Sequence, residues 1–303
     1  MNFISDIDLS NLFLVSPFGD KVIGGFCLGL TIIIFLVWNL FFTTNKKIRV
    51  KKSSKNRVNK KKVNSIKKKT NKKEAKNMSK YADQIIDRFV KNYAQPINTP
   101  YVIGVCGGSG SGKSFIAGLI IETIKKMFPN SKPVTLPQDC YYLGGDKTTN
   151  FDEPSSIDFS LMNLHLEQLI LGESIMCPQY DFVTHQRKKE TVLISPEDII
   201  IVDGTLIYND SQLKNKMNMK IFINTDIPTQ LSRRAMRDIN ERGRTIDGTF
   251  KQYTRDVYPS YKKYVKPSSK NADMIINNFK GCYVGPQIML NHIICIIKDI
   301  LKK

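Results

Sequence analysis

Histidine and cysteine are scarce in this 303-residue chain, and their placement excludes two chemistries. The three histidines (His165, His185 and His292) and six cysteines (Cys27, Cys106, Cys140, Cys177, Cys282 and Cys295) form no CxxC pair and no metal-ligand spacing. Neither a zinc module nor a disulfide framework fits, and the thiols read as reduced, in a cytosolic protein. A second scarcity is local. Between Asn45 and Lys80 there is one acidic residue, Glu74, against 17 Lys and Arg, and there is no aromatic residue at all. That run carries +16 of the formal +19, while residues 1–44 carry −2, which leaves +5 for residues 81–303. The high pI therefore belongs to a tether, and the folded part is only mildly basic. With no ring to stack on bases, the lysine run gives no reason to expect a nucleic-acid partner.

Charged residues are also missing from Val22–Phe42, a 21-residue run whose only polar side chains are Thr31 and Asn39. As a helix it would rise about 30 Å, the thickness of a bilayer's hydrocarbon core. The start is acidic and 20 residues long, which does not suit a cleaved signal peptide. The expectation is a short acidic segment over 1–21, one N-terminal transmembrane helix over 22–43 and a disordered Lys-rich linker over 44–80. Lys46, Lys47 and Arg49 just after the span predict a cytoplasmic location for the remainder of the chain, in a single-pass membrane protein. Residues 45–80 lack the apolar surface to fold, and would meet anionic lipids.

From about Tyr81 the texture becomes globular. Apolar, β-branched runs predict buried strands at Tyr101–Cys106, Val134–Leu136, Ile199–Val202, Met219–Ile223 and Met274–Ile276. Helical periodicity falls between them, at 114–128, 158–171, 227–242, 248–264 and 286–302. Alternation of this kind predicts an α/β domain, 81–303, with a parallel sheet covered by helices on both faces. Ligands of such sheets bind at the carboxyl ends of the strands.

Gly107-Gly108-Ser109-Gly110-Ser111-Gly112-Lys113-Ser114 fits G-x-x-x-x-G-K-[ST] between a strand and a helix. Glycines let successive backbone N–H groups turn toward a polyanion, and the helix N-terminus adds positive potential. Lys113 is expected on the β/γ-phosphates of ATP, with the Ser114 hydroxyl on Mg²⁺. This loop alone does not distinguish a kinase from other P-loop NTPases.

The acceptor side must make that choice. Asp139 follows the second strand, where a carboxylate can receive a hydroxyl proton, although an aspartate there is also an ordinary turn residue. Further along come Asn150-Phe151-Asp152-Glu153-Pro154, then Pro178-Gln179-Tyr180-Asp181-Phe182-Val183-Thr184-His185-Gln186-Arg187, then Val202-Asp203-Gly204. The series ends in Arg233-Arg234-Ala235-Met236-Arg237-Asp238-Ile239-Asn240-Glu241-Arg242-Gly243-Arg244 and Gln252-Tyr253.

From about Tyr101 to His292 this series resembles the uridine kinase (uridine–cytidine kinase) family of P-loop kinases. The resemblance implies ATP, Mg²⁺ and a pyrimidine nucleoside, uridine or cytidine, phosphorylated at the 5′-hydroxyl. Asp139 would face that hydroxyl, and Asp152 with Arg234 would hold the ribose. Tyr180, Phe182 and His185 would line the base pocket on a β-hairpin from Met176 towards Ile194. Arg244 and Gln252 would complete the nucleoside contacts, and Arg237 and Arg242 would face the phosphates from a mobile lid. Asp203 would serve the metal, and the family's oligomers suggest a homotetramer.

Three departures stand out. Asp203 replaces the family's usual Glu, Asn277-Asn278-Phe279-Lys280 replaces a Pro-Arg-Gly turn on the adenine side, and Gly144-Gly145-Asp146-Lys147 alters the loop near the acceptor. A related small-molecule kinase of the phosphoribulokinase or pantothenate kinase type, and a tethered nucleotide-binding pseudoenzyme, are the alternative readings.

Overall fold

A computed structural model describes residues 77, 80–87, 100–146 and 148–301. The expected membrane span and most of the lysine-rich linker lie outside the described residues. Among the described residues, no helix is long and apolar enough to cross a membrane. The chain divides into two compact units, Met1–Arg88 and Phe89–Lys303. Of the first, residues 80–87 are helical; the sheet and its covering helices all belong to the second.

Five parallel strands form the sheet, in the order β2-β5-β1-β6-β7. They are β1 (Tyr101–Gly107), β2 (Val134–Pro137), β5 (Ile199–Gly204), β6 (Met219–Asn224) and β7 (Met274–Asn277). Each predicted strand is present, and the register runs Val102 opposite Ile200, Leu136 opposite Val202 and Phe222 opposite Ile275. Alternate side chains feed two cores, as a doubly covered sheet requires. Ile103, Val105, Ile199 and Ile201 pack with Ile116, Ile120 and Ile124 of α1 (Lys113–Met127) and Met289, Ile293 and Ile297 of the C-terminal helix, Val284–Leu301. Val102, Cys106, Ile200 and Val202 pack on the opposite face with Met162, Leu166 and Leu169 of α2 (Phe159–Ile170). The Tyr208 hydroxyl is buried under the central strands, 2.9 Å from both Gly104 O and Ile221 O, to which its one proton is available. A Cβ on Gly104 would crowd the Tyr208 ring at 3.1 Å and collide with the Met217 sulfur, so the glycine leaves room for both side chains.

The predicted hairpin is β3 (Ile175–Asp181) against β4 (Gln186–Ile194), an antiparallel pair apart from the main sheet. A short helix that the periodicity did not predict, α3 (Ser211–Asn215), comes after β5. The helix predicted over 227–242 is α4 (Ile227–Arg242). Asp226 caps it by accepting from Thr229 N at 2.9 Å, and Gly243 ends it in the left-handed region at φ 62°. The stretch predicted as one helix over 248–264 is less regular. It begins as α5 (Ile246–Gln252) and passes through π-helical turns at Tyr253–Val257 and Tyr261–Val265 before ending at Lys266–Ser268. The C-terminal helix is α6.

Candidate active site

At the carboxyl ends of β1, β2 and β5 the chain builds an open cleft. After β1 the phosphate loop turns into α1, with Gly110 at φ 80° and Gly112 at φ 92°. A Cβ on Gly110 would collide with the backbone of Gln230, so the loop is pinned against α4 as well as left-handed. Lys113 Nζ folds back to Gly108 O at 3.4 Å.

Ser114 Oγ donates to Asp203 Oδ2 at 2.8 Å. The other oxygen, Asp203 Oδ1, is buried without a hydrogen-bond partner, and burial first of all raises this acid above the ordinary carboxylate range. A buried carboxylate oxygen with nothing to accept is costly unless a ligand completes it. Together with the serine hydroxyl it forms a hard-oxygen donor set, and these residues fit Mg²⁺. The shorter side chain of Asp203 therefore still meets Ser114.

The 3₁₀ turn Gln138–Tyr141 follows β2 and leaves Asp139 exposed on the cleft wall. Gln138 anchors the turn, accepting from Leu206 N at 2.7 Å. Asp152 lines the same cleft with a side chain 16% exposed, and Arg234 Nη1 lies 3.9 Å from its Oδ1. Burial raises the Asp152 acid, while Arg234 opposes the rise.

The hairpin supplies the aromatic wall. Asp181 Oδ1 accepts from Val183 N at 2.8 Å and shapes the tip. His185 takes a left-handed φ of 58° there, which lays its ring on Phe151 with centroids 4.9 Å apart and planes 14° from parallel. Tyr180 and Phe182 meet edge-on at 5.2 Å, and Tyr142 tilts against Tyr180 at 5.1 Å. Tyr180 Oη is buried with no hydrogen-bond partner, so the aromatic wall carries an unused polar group. The altered loop is tied to the hairpin tip. Gly145 N donates to His185 O, and Gln186 Nε2 donates to Gly145 O, each at 3.0 Å.

The arginines come from α4 and the turn after it. Arg234 Nη1 donates to Ser109 Oγ at 2.8 Å and its Nη2 to Gln252 Oε1 at 3.2 Å. Arg244 also donates to Gln252 Oε1. Arg242 places its guanidinium 3.9 Å from the centroid of the Phe182 ring, a cation–π contact. Arg237 and Arg242 both belong to the 16-residue helix α4. Arg233 is exposed, its Nη1 3.4 Å from Asn278 O.

One cleft thus gathers Lys113, Asp139, Asp152, Tyr180, Phe182, His185, Arg234, Arg237, Arg242, Arg244 and Gln252. Sequence reasoning gave no role to Tyr142, Phe151 and Thr205, which also line it. The available signal was position: Tyr142 and Phe151 flank the two acceptor-side carboxylates, and Thr205 follows a strand end. His165 does not line the cleft; it is buried, with its Nδ1 2.8 Å from Tyr141 Oη.

Comparison with known proteins agrees with this arrangement. The model of the phosphoribulokinase/uridine kinase family matches residues 102–283. The chain belongs to that family. Among its relatives, a uridine kinase of Proteus mirabilis is 37% identical over 182 residues, covering 58% of this chain and 85% of the relative. The uridine kinase of Halalkalibacterium halodurans is 36% identical over 207 residues, 66% of this chain and 96% of the relative. That of Brevibacillus brevis is 37% identical over 187 residues, 59% and 86% of the two chains. The family's match begins in β1 and ends after β7, so it spans the whole sheet with its cleft.

Proposed function

We propose that this chain transfers the γ-phosphate of ATP to the 5′-hydroxyl of uridine or cytidine, and does so from a membrane tether. One observation carries the reading. A phosphate loop at one end and an aromatic–histidine hairpin at the other share a single cleft, with Asp139 on its wall. The relatives named uridine kinase support the same acceptor.

Lys113 and the backbone N–H groups of the phosphate loop hold the β/γ-phosphates. Ser114 and Asp203 would hold Mg²⁺, which when bound would supply positive charge beside the transferring group. Asp139 accepts the 5′-hydroxyl proton as the oxygen attacks. Asp152 accepts from the two vicinal ribose hydroxyls, which favours ribose over deoxyribose. The rings of Tyr180 and Phe182 pack on the pyrimidine. His185 donates to uracil O4 or accepts from the cytosine amine, depending on its tautomer, so both bases are accommodated. Arg237 and Arg242 stabilise charge on the equatorial oxygens in the transition state.

Residues 22–43 anchor the enzyme with its catalytic domain on the cytoplasmic side, and the lysines of 45–80 engage anionic lipid. Apolar length and the basic flank of the sequence support this part.

The test is a coupled ADP-release assay on the full chain in mild detergent, with ATP, Mg²⁺ and either uridine, cytidine, thymidine or adenosine. Turnover with the two pyrimidine ribonucleosides alone is expected. ATP binding without turnover of any acceptor would overturn the proposal.

A further inference from the structure

Four of the cleft's arginines share one counter-ion that does not itself reach the cleft. Asp238 has no exposed surface. Its Oδ1 accepts from Arg237 Nη2 at 2.9 Å and Nε at 3.1 Å, with Arg242 Nη1 at 3.5 Å. Its Oδ2 has Arg234 Nε at 3.3 Å and Arg244 Nη1 at 3.5 Å. The carboxylate is therefore divided. One oxygen is hydrogen-bonded to Arg237 and lies near Arg242, the pair assigned to the phosphates; the other makes no hydrogen bond and lies at ion-pair distance from the two assigned to the nucleoside.

Helical geometry produces this focus. Arg234, Asp238 and Arg242 recur every four residues on one face of α4. Gly243 then reverses the chain, and Arg244 N donates to Asp238 O at 3.1 Å, which returns the fourth guanidinium to the same carboxylate. Four cations around one anion leave an excess of positive charge, and burial weakens the solvent screening between them. Without the carboxylate their repulsion would turn them outward. Burial raises the Asp238 acid, but the arginines outweigh that effect and hold it below the ordinary carboxylate range, so it is charged at neutral pH.

We propose that Asp238 is a positioning residue for phosphoryl transfer: its single buried carboxylate sets the poses of Arg234, Arg237, Arg242 and Arg244 against the nucleoside and the transferring phosphate. The effect falls on the acceptor. Arg234 joins Gln252, and Arg242 lies on the Phe182 ring, both on the acceptor side, while Arg234 and Arg237 touch the phosphate loop only through the side chain of Ser109. The grip on ATP comes chiefly from the phosphate-loop backbone and Lys113, and neither is a partner of Asp238.

This inference rests on the nucleoside-kinase reading, and the experiment separates the two. Asp238→Asn in the full-length enzyme keeps the shape and removes the charge. Its KM for uridine should rise at least about tenfold and its kcat fall by a similar factor, while the KM for ATP changes less than about threefold. A purely structural role would reduce the folded fraction and leave both KM values as they are. In an Arg244→Gln background Asp238→Asn should cost less than in the wild type, because part of what it positions is already gone. If Asp238→Asn does not fold, Asp238→Glu is read for the same split, since one more methylene displaces the carboxylate. Equal changes in the two KM values, or no change in that for uridine, would overturn the inference alone. An inactive wild type would overturn the kinase reading, and the inference with it.

Discussion

Replacing Asp152 with asparagine should weaken function and strengthen the fold, and the opposed signs make the test strict. In the proposed complex the carboxylate accepts from two vicinal ribose hydroxyls. Hydrogen bonds to a charged group contribute about 1.5–3 kcal/mol each. Asparagine keeps one acceptor oxygen without its charge, so a loss of about 2–4 kcal/mol in kcat/KM for uridine is expected, roughly 30- to 700-fold. The wild type should discriminate against 2′-deoxyuridine by roughly 10- to 150-fold, the worth of one such bond, and in Asp152→Asn that ratio should shrink towards a few fold. The stability sign comes from burial, which raises the Asp152 acid in the folded state. An acid raised in this way costs the native state free energy wherever it must be ionised. Asp152→Asn should therefore melt higher than the wild type at pH 7. That gain should disappear as pH falls through the raised folded value to below the ordinary aspartate value of about 3.9. Steady-state kinetics with the two nucleosides and thermal melts at pH 7 and pH 3.5 read both effects. An unchanged ribose-to-deoxyribose ratio would refute the hydroxyl contact. A lower melting temperature at pH 7 would refute the burial argument.

Asp139 is exposed, so Asp139→Asn should leave melting unchanged while lowering kcat by about 10²–10⁴; a kcat near that of the wild type would remove it from proton transfer. Lys113→Ala should abolish turnover in the same assay, since no other lysine among the described residues lines the cleft, and substantial residual activity would refute its place on the phosphates. His185→Ala removes a ring stacked on Phe151 and should raise the KM for uridine about tenfold or more with little change for ATP; equal rises would refute the base pocket. Deleting residues 1–44 should move the protein from the membrane pellet to the supernatant in a sedimentation assay. Retention in the pellet would assign the attachment to the lysine segment.

The sheet was legible because its strands are buried on both faces, which leaves near-continuous apolar runs such as Ile199–Val202, and because the phosphate loop marks the end of β1. α3 was not legible, since five residues are too few to display a helical period. Neither were the π-turns at Tyr253–Val257 and Tyr261–Val265, because an extra residue in a turn leaves the local composition helical. The cleft residues could be assembled through the resemblance, since Asp152, Tyr180 and Arg234 lie far apart in sequence and meet only through the fold. What remained hidden was many-body. The period of α4 places Asp238 beside Arg234 and Arg242, but nothing local shows that Arg237 and Arg244 converge on it too. Arg244 depends on the chain reversal at Gly243. Likewise the rings of Tyr142 and Phe151 are ordinary apolar residues until the hairpin tip lies across them.

The adenine-side departure has a physical reading of its own. Asn278 Nδ2 donates to Ser111 O, in the phosphate loop, at 2.8 Å. Thr225 Oγ1 donates to the same carbonyl at 2.9 Å and lies 3.1 Å from Asn278 O. Gly112 leaves room for this, because a Cβ there would collide with the Asn278 amide. The substituted turn is thus bonded to the loop that holds the phosphates, and its side chain works on the donor end of the cleft. Asn278→Ala removes one neutral hydrogen bond, about 0.5–1.5 kcal/mol, while Thr225 still satisfies the Ser111 carbonyl. The KM for ATP should rise about two- to tenfold, with the KM for uridine unchanged, because Asn278 bonds the phosphate loop and is not among the residues lining the cleft with the hairpin and Asp152. Initial rates over a matrix of both substrates separate the two constants. An equal rise for uridine would show that the loop and the acceptor pocket move together, and would refute the assignment of Asn278 to the donor side alone.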